Sequence, residues 1–371
     1  MNRLGEPLLV AKIQRFFGIE PLPNDKEVYR SEAKEKQNYV IKNKLWYYLF
    51  VFGTALGDEV FYSTFIPFWF WNIDGAVGRR VVLVWAILMY IGQGIKDMVR
   101  WPRPGPPVIQ LEKKWALEYG FPSTHAIVGV SIPFSVILYT MNRYEYNIAL
   151  GIGIALLWCS IVCFSRLYLG MHSVLDIIAG VVLAVTLMIP LVPLIDYIDE
   201  YLLVSPTTPF LLVTLSILMI FYYPSTGKWT PTRGDTTMIL SVSVGVISGA
   251  WLNYQTGLMT KSDLAIPHII MWPSWTMFGY LILRTLLGFL CVLATRQVVK
   301  SLSYSFICML VKQDETTIKQ SKNTWQNKHK TFVELGCKYL TCGAIGFNML
   351  YTLPQLFRFL KIERPTFFTE I

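Results

Sequence analysis

The chain has 371 residues, 53% of them hydrophobic and 15% charged, and its mean hydropathy of +0.44 excludes a soluble domain of this size. The net charge of +9 does not signal nucleic acid, because the Lys and Arg residues sit in the loops and termini of a lipid-embedded chain, where anionic headgroups are the expected partners. Six cysteines, at 159, 163, 291, 308, 337 and 342, contain no CxxC pair and indicate neither a disulfide framework nor a zinc site.

Residues 1–44 form a polar, basic N-terminal arm without the compact apolar core and small-residue cleavage site of a signal peptide. Within it, "LLVAKIQRFFGI" reads either as a short amphipathic helix on the bilayer surface or as part of a disordered arm. A membrane span needs about 20 mostly apolar residues. Apolar runs at 45–71, 81–95, 124–141, 147–164, 173–195, 210–223, 238–254, 275–298 and 333–360 predict an all-α, polytopic transmembrane helix bundle of about nine spans, with a range of eight to ten. Trp69, Trp71 and Trp101 are expected in an interfacial aromatic belt. The chain contains no internal repeat, no low-complexity tract and no Asn-x-Ser/Thr acceptor.

Ionisable groups beside a membrane span are costly and usually mark function. Three such clusters fall between residues 96 and 176. The first, "KDMVRWPRP", carries Lys96, Arg100 and Arg103 past the end of a span that the prolines terminate. In the second, "GFPSTHA", Ser123 or Thr124 is a natural N-cap, so His125 stands beside the unpaired N–H groups and positive dipole of a helix start. The third, "FSRLYLGMHSVLDIIAG", ends one span at Ser165 and Arg166, turns, and begins the next at His172, with Asp176 four residues on and on the same helix face. A carboxylate there would hold one imidazole nitrogen and leave the other basic.

Connectivity brings the clusters together. The run from His125 returns through the short link "NRYEYN" and the next run, so residues 123–125 and 165–166 must share one membrane face. Lys96 ends the preceding span there and His172 begins the following one. Arginine forks, a lysine and a helix N-terminus around two histidines suit a phosphate dianion.

These residues carry a resemblance. "K96…R103–P104", "P122–S123–T124–H125" and "S165–R166…H172…D176" resemble the three signature motifs of the type 2 phosphatidic acid phosphatase superfamily, in the spacings KxxxxxxRP, PSxH and SRxxxxxHxxxD. The text around them, "ALGDEVFYSTFIPFWFWNID", "MYIGQGIKDMVRWPRP", "EYGFPSTHA" and "GMHSVLDIIAG", is similar to the sphingosine-1-phosphate phosphatases, over most of 45–200 and more loosely to the last span. The resemblance implies a PAP2-like catalytic membrane core at 45–200, with further transmembrane helices and a short tail at 201–371. It implies a metal-independent phosphomonoesterase without cofactors that takes a sphingoid base phosphate through a phosphohistidine intermediate. By motif position, His172 would be the nucleophile, Asp176 its orienting partner and His125 the general acid and base. Lys96, Arg103, Ser123 and Arg166 would bind the phosphoryl oxygens; Arg100 lies outside the motif's fixed positions and reads as a loop anchor.

Two other readings stand beside this one: a sugar phosphate hydrolase like glucose-6-phosphatase, and a transporter of phosphorylated lipids that binds without chemistry. The resemblance further implies an endoplasmic reticulum membrane protein with a luminal site. A single crossing by 45–71 would place the basic arm on the catalytic side, against the positive-inside bias. Two short passes broken near Asp58 and Glu59 would instead group the arm with Arg79, Arg80 and Arg143 on the cytosolic side.

Overall fold

A computed structural model describes residues 5–22, 28–29, 36–37, 39–112, 118–224, 231–260, 267–270, 272–320 and 328–370. In it the expected apolar runs are mostly helical, with a break between residues 55 and 59. The helices in chain order are α1 (Pro7–Phe16), α2 (Lys44–Ala55), α3 (Glu59–Asn72), α4 (Gly75–Val99), α5 (Thr124–Thr140), α6 (Ile148–Tyr168), α7 (Val174–Val204) and α8 (Thr208–Phe221). They continue with α9 (Pro231–Gln255), α10 (Trp275–Val311), α11 (Glu315–Gln320), α12 (Lys328–Phe347), a π-helical turn (Asn348–Thr352) and α13 (Leu353–Phe359). Most starts are set by a short polar side chain that accepts from the first free backbone N–H groups: Asn43, Asp58, Asp74, Ser123, Asn147, Ser173 and Ser274. Extended structure among the described residues is limited to the antiparallel pairs Ile19–Pro21 with Tyr39–Ile41 and Val28–Tyr29 with Lys36–Gln37, and the parallel pair Tyr144–Glu145 with His268–Ile269.

The protein is an all-α, multi-pass membrane protein, but length and composition do not reach nine spans. Among the described residues, α4, α6, α7, α9 and α10 are long and apolar enough to cross a bilayer, and α2 with α3, bent by 59° at their break, would make a sixth. The helices α5 and α8, at 17 and 14 residues, are shorter than a span requires, and the run 333–360 is divided among α12, the π turn and α13. Helix α4 is the centre of the bundle, with 78% of its apolar window buried against 17% for α6 and 11% for α10, whose apolar faces remain for lipid. The core joins Val77 to Met89 of α4 with Ile127 and Ile132 of α5, Ala184 of α7 and Val246 and Ala250 of α9.

Two expectations change. The described part of the N-terminal arm is neither disordered nor simply laid on a bilayer: α1 buries Val10 against Ala126, Leu167 and Ile177, and Gln14 donates to the carbonyls of Ile109 and Tyr168 at 2.7 and 2.9 Å. That places the arm against the ends of α5, α6 and α7 that carry the histidines, apart from Arg79, Arg80 and Arg143. Trp71 is not an interfacial residue; it is 1% exposed, packs beside Phe289 and Phe357, and donates its indole N–H to the Met349 carbonyl at 3.1 Å. The π turn supplies that acceptor. Pro354 lacks an N–H to pair the Leu350 carbonyl, which Asn253 takes at 2.6 Å. Trp101 is 51% exposed.

Candidate active site

Four helix ends converge. The C-terminal turn of α4 carries Lys96, the loop after it carries Arg103, α5 begins at the Ser123 cap, α6 ends at Arg166, and α7 begins just after His172. Backbone bonds tie the loops together: Gly120 N–H donates to the Trp101 carbonyl at 2.7 Å, Ser123 N–H to the Asp176 carbonyl at 3.0 Å, and Leu111 N–H to the Leu169 carbonyl at 3.0 Å. The turn before His172 passes through Gly170 at φ +68°, a conformation that only glycine adopts without strain. Helix α7 packs on the start of α5 across Gly180, where a Cβ would lie 2.6 Å from the Ser123 carbonyl oxygen.

The geometry fixes the imidazole. His172 is 1% exposed; its Nδ1 lies 2.8 Å from the Gly120 carbonyl, an acceptor only, so Nδ1 bears the proton and Nε2 keeps its lone pair. That nitrogen faces Arg103 Nη1 at 3.3 Å. Asp176 stands farther off, with Oδ2 3.8 Å from Nδ1, beyond hydrogen-bond distance. Its carboxylate instead accepts from Ser173 N–H at 2.7 Å in a capping box, while Oδ1 has no partner among the described residues. Burial and the positive charges of Arg103, Arg166, Lys96 and His125 hold His172 well below the usual imidazole range.

The cations are buried and arranged by carboxylates that the motif spacing did not single out. Lys96, 1% exposed, donates to Glu118 Oε2 at 3.0 Å and Thr124 Oγ1 at 3.2 Å. Arg103 donates to the Glu118 carbonyl at 3.0 Å and the Met171 carbonyl at 2.8 Å, and its Nη2 is 3.9 Å from Glu118 Oε2. Burial and the neighbouring Arg166 push its guanidinium down to about 10. Arg166 donates from Nη1 to Thr54 Oγ1 and to Glu112 Oε2, the latter at 3.0 Å, leaving Nε and Nη2 buried without a partner among the described residues. Two unspent guanidinium donors suit an oxyanion. Ser123 caps α5 with Oγ 3.4 Å from Ala126 N–H.

A cleft joins Arg103, Glu118, Thr124, His125 and His172 to Asp58 and Glu59 at the α2–α3 break and to Asp235 of α9. His125 faces Gly57, where a Cβ would lie 3.0 Å from the ring. Arg100 lies outside the cleft, as an exposed C-cap of α4 with Nε on the Asp97 carbonyl at 3.1 Å. Sequence reasoning missed Glu112, Glu118, Thr54, Gly120 and Asp235. The available signal was two acidic residues in the polar stretch between "RWPRP" and "GFPSTHA", enough to suspect partners for buried cations. Between α8 and α9, residues 225–230, Lys228 among them, lie outside the described residues. Arg233 reaches the Ile220 carbonyl at 3.5 Å.

The family described as the PAP2 superfamily matches residues 77–199. The chain is 38% identical over 325 residues to sphingosine-1-phosphate phosphatase 1 of Rattus norvegicus, an alignment covering 87% of this chain and 74% of that protein. It is 36% identical over 365 residues to sphingosine-1-phosphate phosphatase 2 of Mus musculus, covering 98% and 99%, and 38% identical over 333 residues to sphingosine-1-phosphate phosphatase 2 of Homo sapiens, covering 88% and 81%. No solved structure matches.

Proposed function

The chain belongs to the sphingosine-1-phosphate phosphatase family of the PAP2 superfamily and is a lipid phosphate phosphatase, and from that premise we propose that it hydrolyses sphingosine-1-phosphate and related sphingoid base phosphates at His172. The observation that carries the assignment is the His172 ring, held at Nδ1 by a backbone carbonyl with its basic Nε2 3.3 Å from a guanidinium. A phosphoryl group seated on Arg103 is thereby in line for attack.

Nε2 forms a bond to phosphorus as the ester P–O bond breaks, and the departing alkoxide takes a proton from His125. Water, deprotonated by His125, then attacks the phosphohistidine, releasing phosphate and restoring the imidazole. Arg103, Lys96 and the unspent Arg166 donors offset the charge on the equatorial oxygens, the main demand that phosphoryl transfer makes of a protein. As His172 gains positive charge, the Asp176 carboxylate at 3.8 Å stabilises it through space. The covalent step divides one difficult displacement into two. Ser123 contributes by capping the helix whose N-terminus faces the anion.

The catalytic unit spans 45–200, with 201–371 adding helices around it. The substrate's chain remains in lipid while its headgroup enters the cleft. The family resemblance supports an endoplasmic reticulum membrane with a luminal site, and because α1 is bonded to the catalytic-side loops, the N-terminal arm then lies in the lumen too.

A single-turnover experiment with substrate labelled at phosphorus tests the chemistry. Wild type quenched in alkali during the turnover should carry acid-labile label on His172, His125→Ala should acquire it more slowly, and His172→Ala should take up none. Labelling that persists in His172→Ala, or phosphate release at the wild-type rate, refutes the assignment.

A further inference from the structure

The cleft is not lined by the phosphatase motifs alone. Asp235, in the second turn of α9, reaches its wall with Glu59 and Tyr62 of α3. All three lie outside the stretch 77–199 that matches the superfamily, so the chemistry shared by that superfamily does not account for them. The Asp235 carboxylate accepts no hydrogen bond and closes no ion pair among the described residues. The positive charges acting on it are those of Lys338 and Lys96, and Glu118 and Glu59 add negative charge beside it. Lys338 comes from α12, its Nζ lying against Gly234. A carboxylate turned into a cleft without a hydrogen-bonding partner is costly unless a ligand supplies one.

Sphingoid base phosphates carry an ammonium on the carbon next to the one that bears the phosphate ester, whereas phosphatidate and alkyl phosphates do not. A headgroup seated on Arg103 places that ammonium in the same cleft, and the acidic wall is the complementary surface there. We propose that Asp235 is the specificity-determining residue of this enzyme: its carboxylate takes the substrate's ammonium while Arg103, Lys96 and Arg166 take the phosphate, so that the site selects amino-bearing lipid phosphates. The proposal rests on the preceding assignment of the phosphate position to His172.

The test compares sphingosine-1-phosphate with octadecyl phosphate, of equal chain length, and with N-acetylated sphingosine-1-phosphate, whose amide is neutral. A hydrogen bond to a charged group corresponds to roughly ten- to a hundred-fold, so wild type should prefer the free amine over both other lipids by at least about tenfold in kcat/KM. Asp235→Asn should erase most of that preference through a rise in KM for the amine, and Asp235→Glu should keep part of it. Equal wild-type rates on the free and N-acetylated amines overturn the proposal whether or not the variants fold. An Asp235→Asn loss that is the same on amine and alkyl phosphate overturns it as well. Turnover of neither lipid by wild type would sink the phosphatase assignment and this proposal together; turnover of both without preference would sink only the proposal.

Discussion

In the proposed arrangement, Glu118 stands where a phosphate oxygen is gripped. Its Oε2 is 3.0 Å from Lys96 Nζ and 3.9 Å from Arg103 Nη2, with the glutamate side chain 7% exposed. Glu118→Gln keeps the shape and one acceptor but removes the charge, with opposite consequences for the free and the anion-bound protein. At 3.0 Å and an effective dielectric constant of about 20, the Lys96–Glu118 attraction is about 5.5 kcal/mol before desolvation. Ion desolvation and the retained amide hydrogen bond reduce the net loss of stability to about 1–3 kcal/mol. A tetrahedral oxyanion seated on the same two cations loses a like-charge neighbour roughly 4 Å away, a gain of about 1–2 kcal/mol after relaxation, or roughly five- to thirty-fold in affinity. Purified variant and wild type in the same detergent should therefore differ twice: a lower Tm in buffer, and both a larger vanadate-induced rise in Tm and tighter vanadate inhibition. Vanadate inhibition that is unchanged or weaker in Glu118→Gln would show that the anion does not displace this carboxylate between Lys96 and Arg103, and the phosphate position argued above would be wrong.

Neutral His172 is the reactive form in the proposed mechanism, and because its protonation is pushed well below the ordinary imidazole value of 6.5, the acid limb of kcat/KM belonging to it should fall below pH 6.5. The same depression means that the unfolded chain takes up a proton near pH 6.5 while the folded one does not, so stability falls as pH drops from 6.5 towards the folded value, and His172→Gln should flatten that decline; an unaltered stability profile in the variant would contradict it. Gly180→Ala forces a Cβ to within 2.6 Å of the Ser123 carbonyl and should cost about 1–3 kcal/mol through overpacking, with kcat falling more than KM changes; a variant of wild-type Tm and rate would refute the close approach. In the proposed mechanism Lys96, Arg103 and Arg166 neutralise the phosphoryl oxygens, so EDTA should leave turnover intact and vanadate should block it; inactivation by EDTA with recovery on magnesium would overturn this. In sealed microsomes, protease-accessible tags at the N-terminus and within 143–146 should report opposite sides, with the N-terminal tag protected; cleavage of that tag would move the catalytic face to the cytosol.

The parts of this site legible in the sequence were those in which a costly residue sits at the end of an apolar run. Lys96, His125, Arg166 and His172 announce themselves because lipid tolerates them only at a rim, and helix connectivity leaves one rim for all four. The loop between α4 and α5 has no such constraint: nothing periodic distinguishes Glu118 from a solvated glutamate until the fold sets it 3.0 Å from a buried lysine. The imidazole's partner was unreadable for a different reason. The i, i+4 spacing of His172 and Asp176 holds only within a continuous helix, and His172 precedes the Ser173 cap, so the carboxylate turns to the cap's own N–H and a backbone carbonyl, invisible to residue types, takes Nδ1. The same logic explains the arm. The sequence left the arm as either a surface amphipathic helix or a disordered segment; Gln14 is the one buried polar side chain of α1, and its amide donates to the Ile109 and Tyr168 carbonyls beside the turn through Gly170. With the arm so docked, and Phe50 of α2 packed on Tyr168 at the same rim, α2 runs inward from the catalytic side and α3 completes the crossing beyond the 59° bend. The bend is therefore a feature of the site: it brings Gly57 against His125 and turns Asp58 and Glu59 into the cleft.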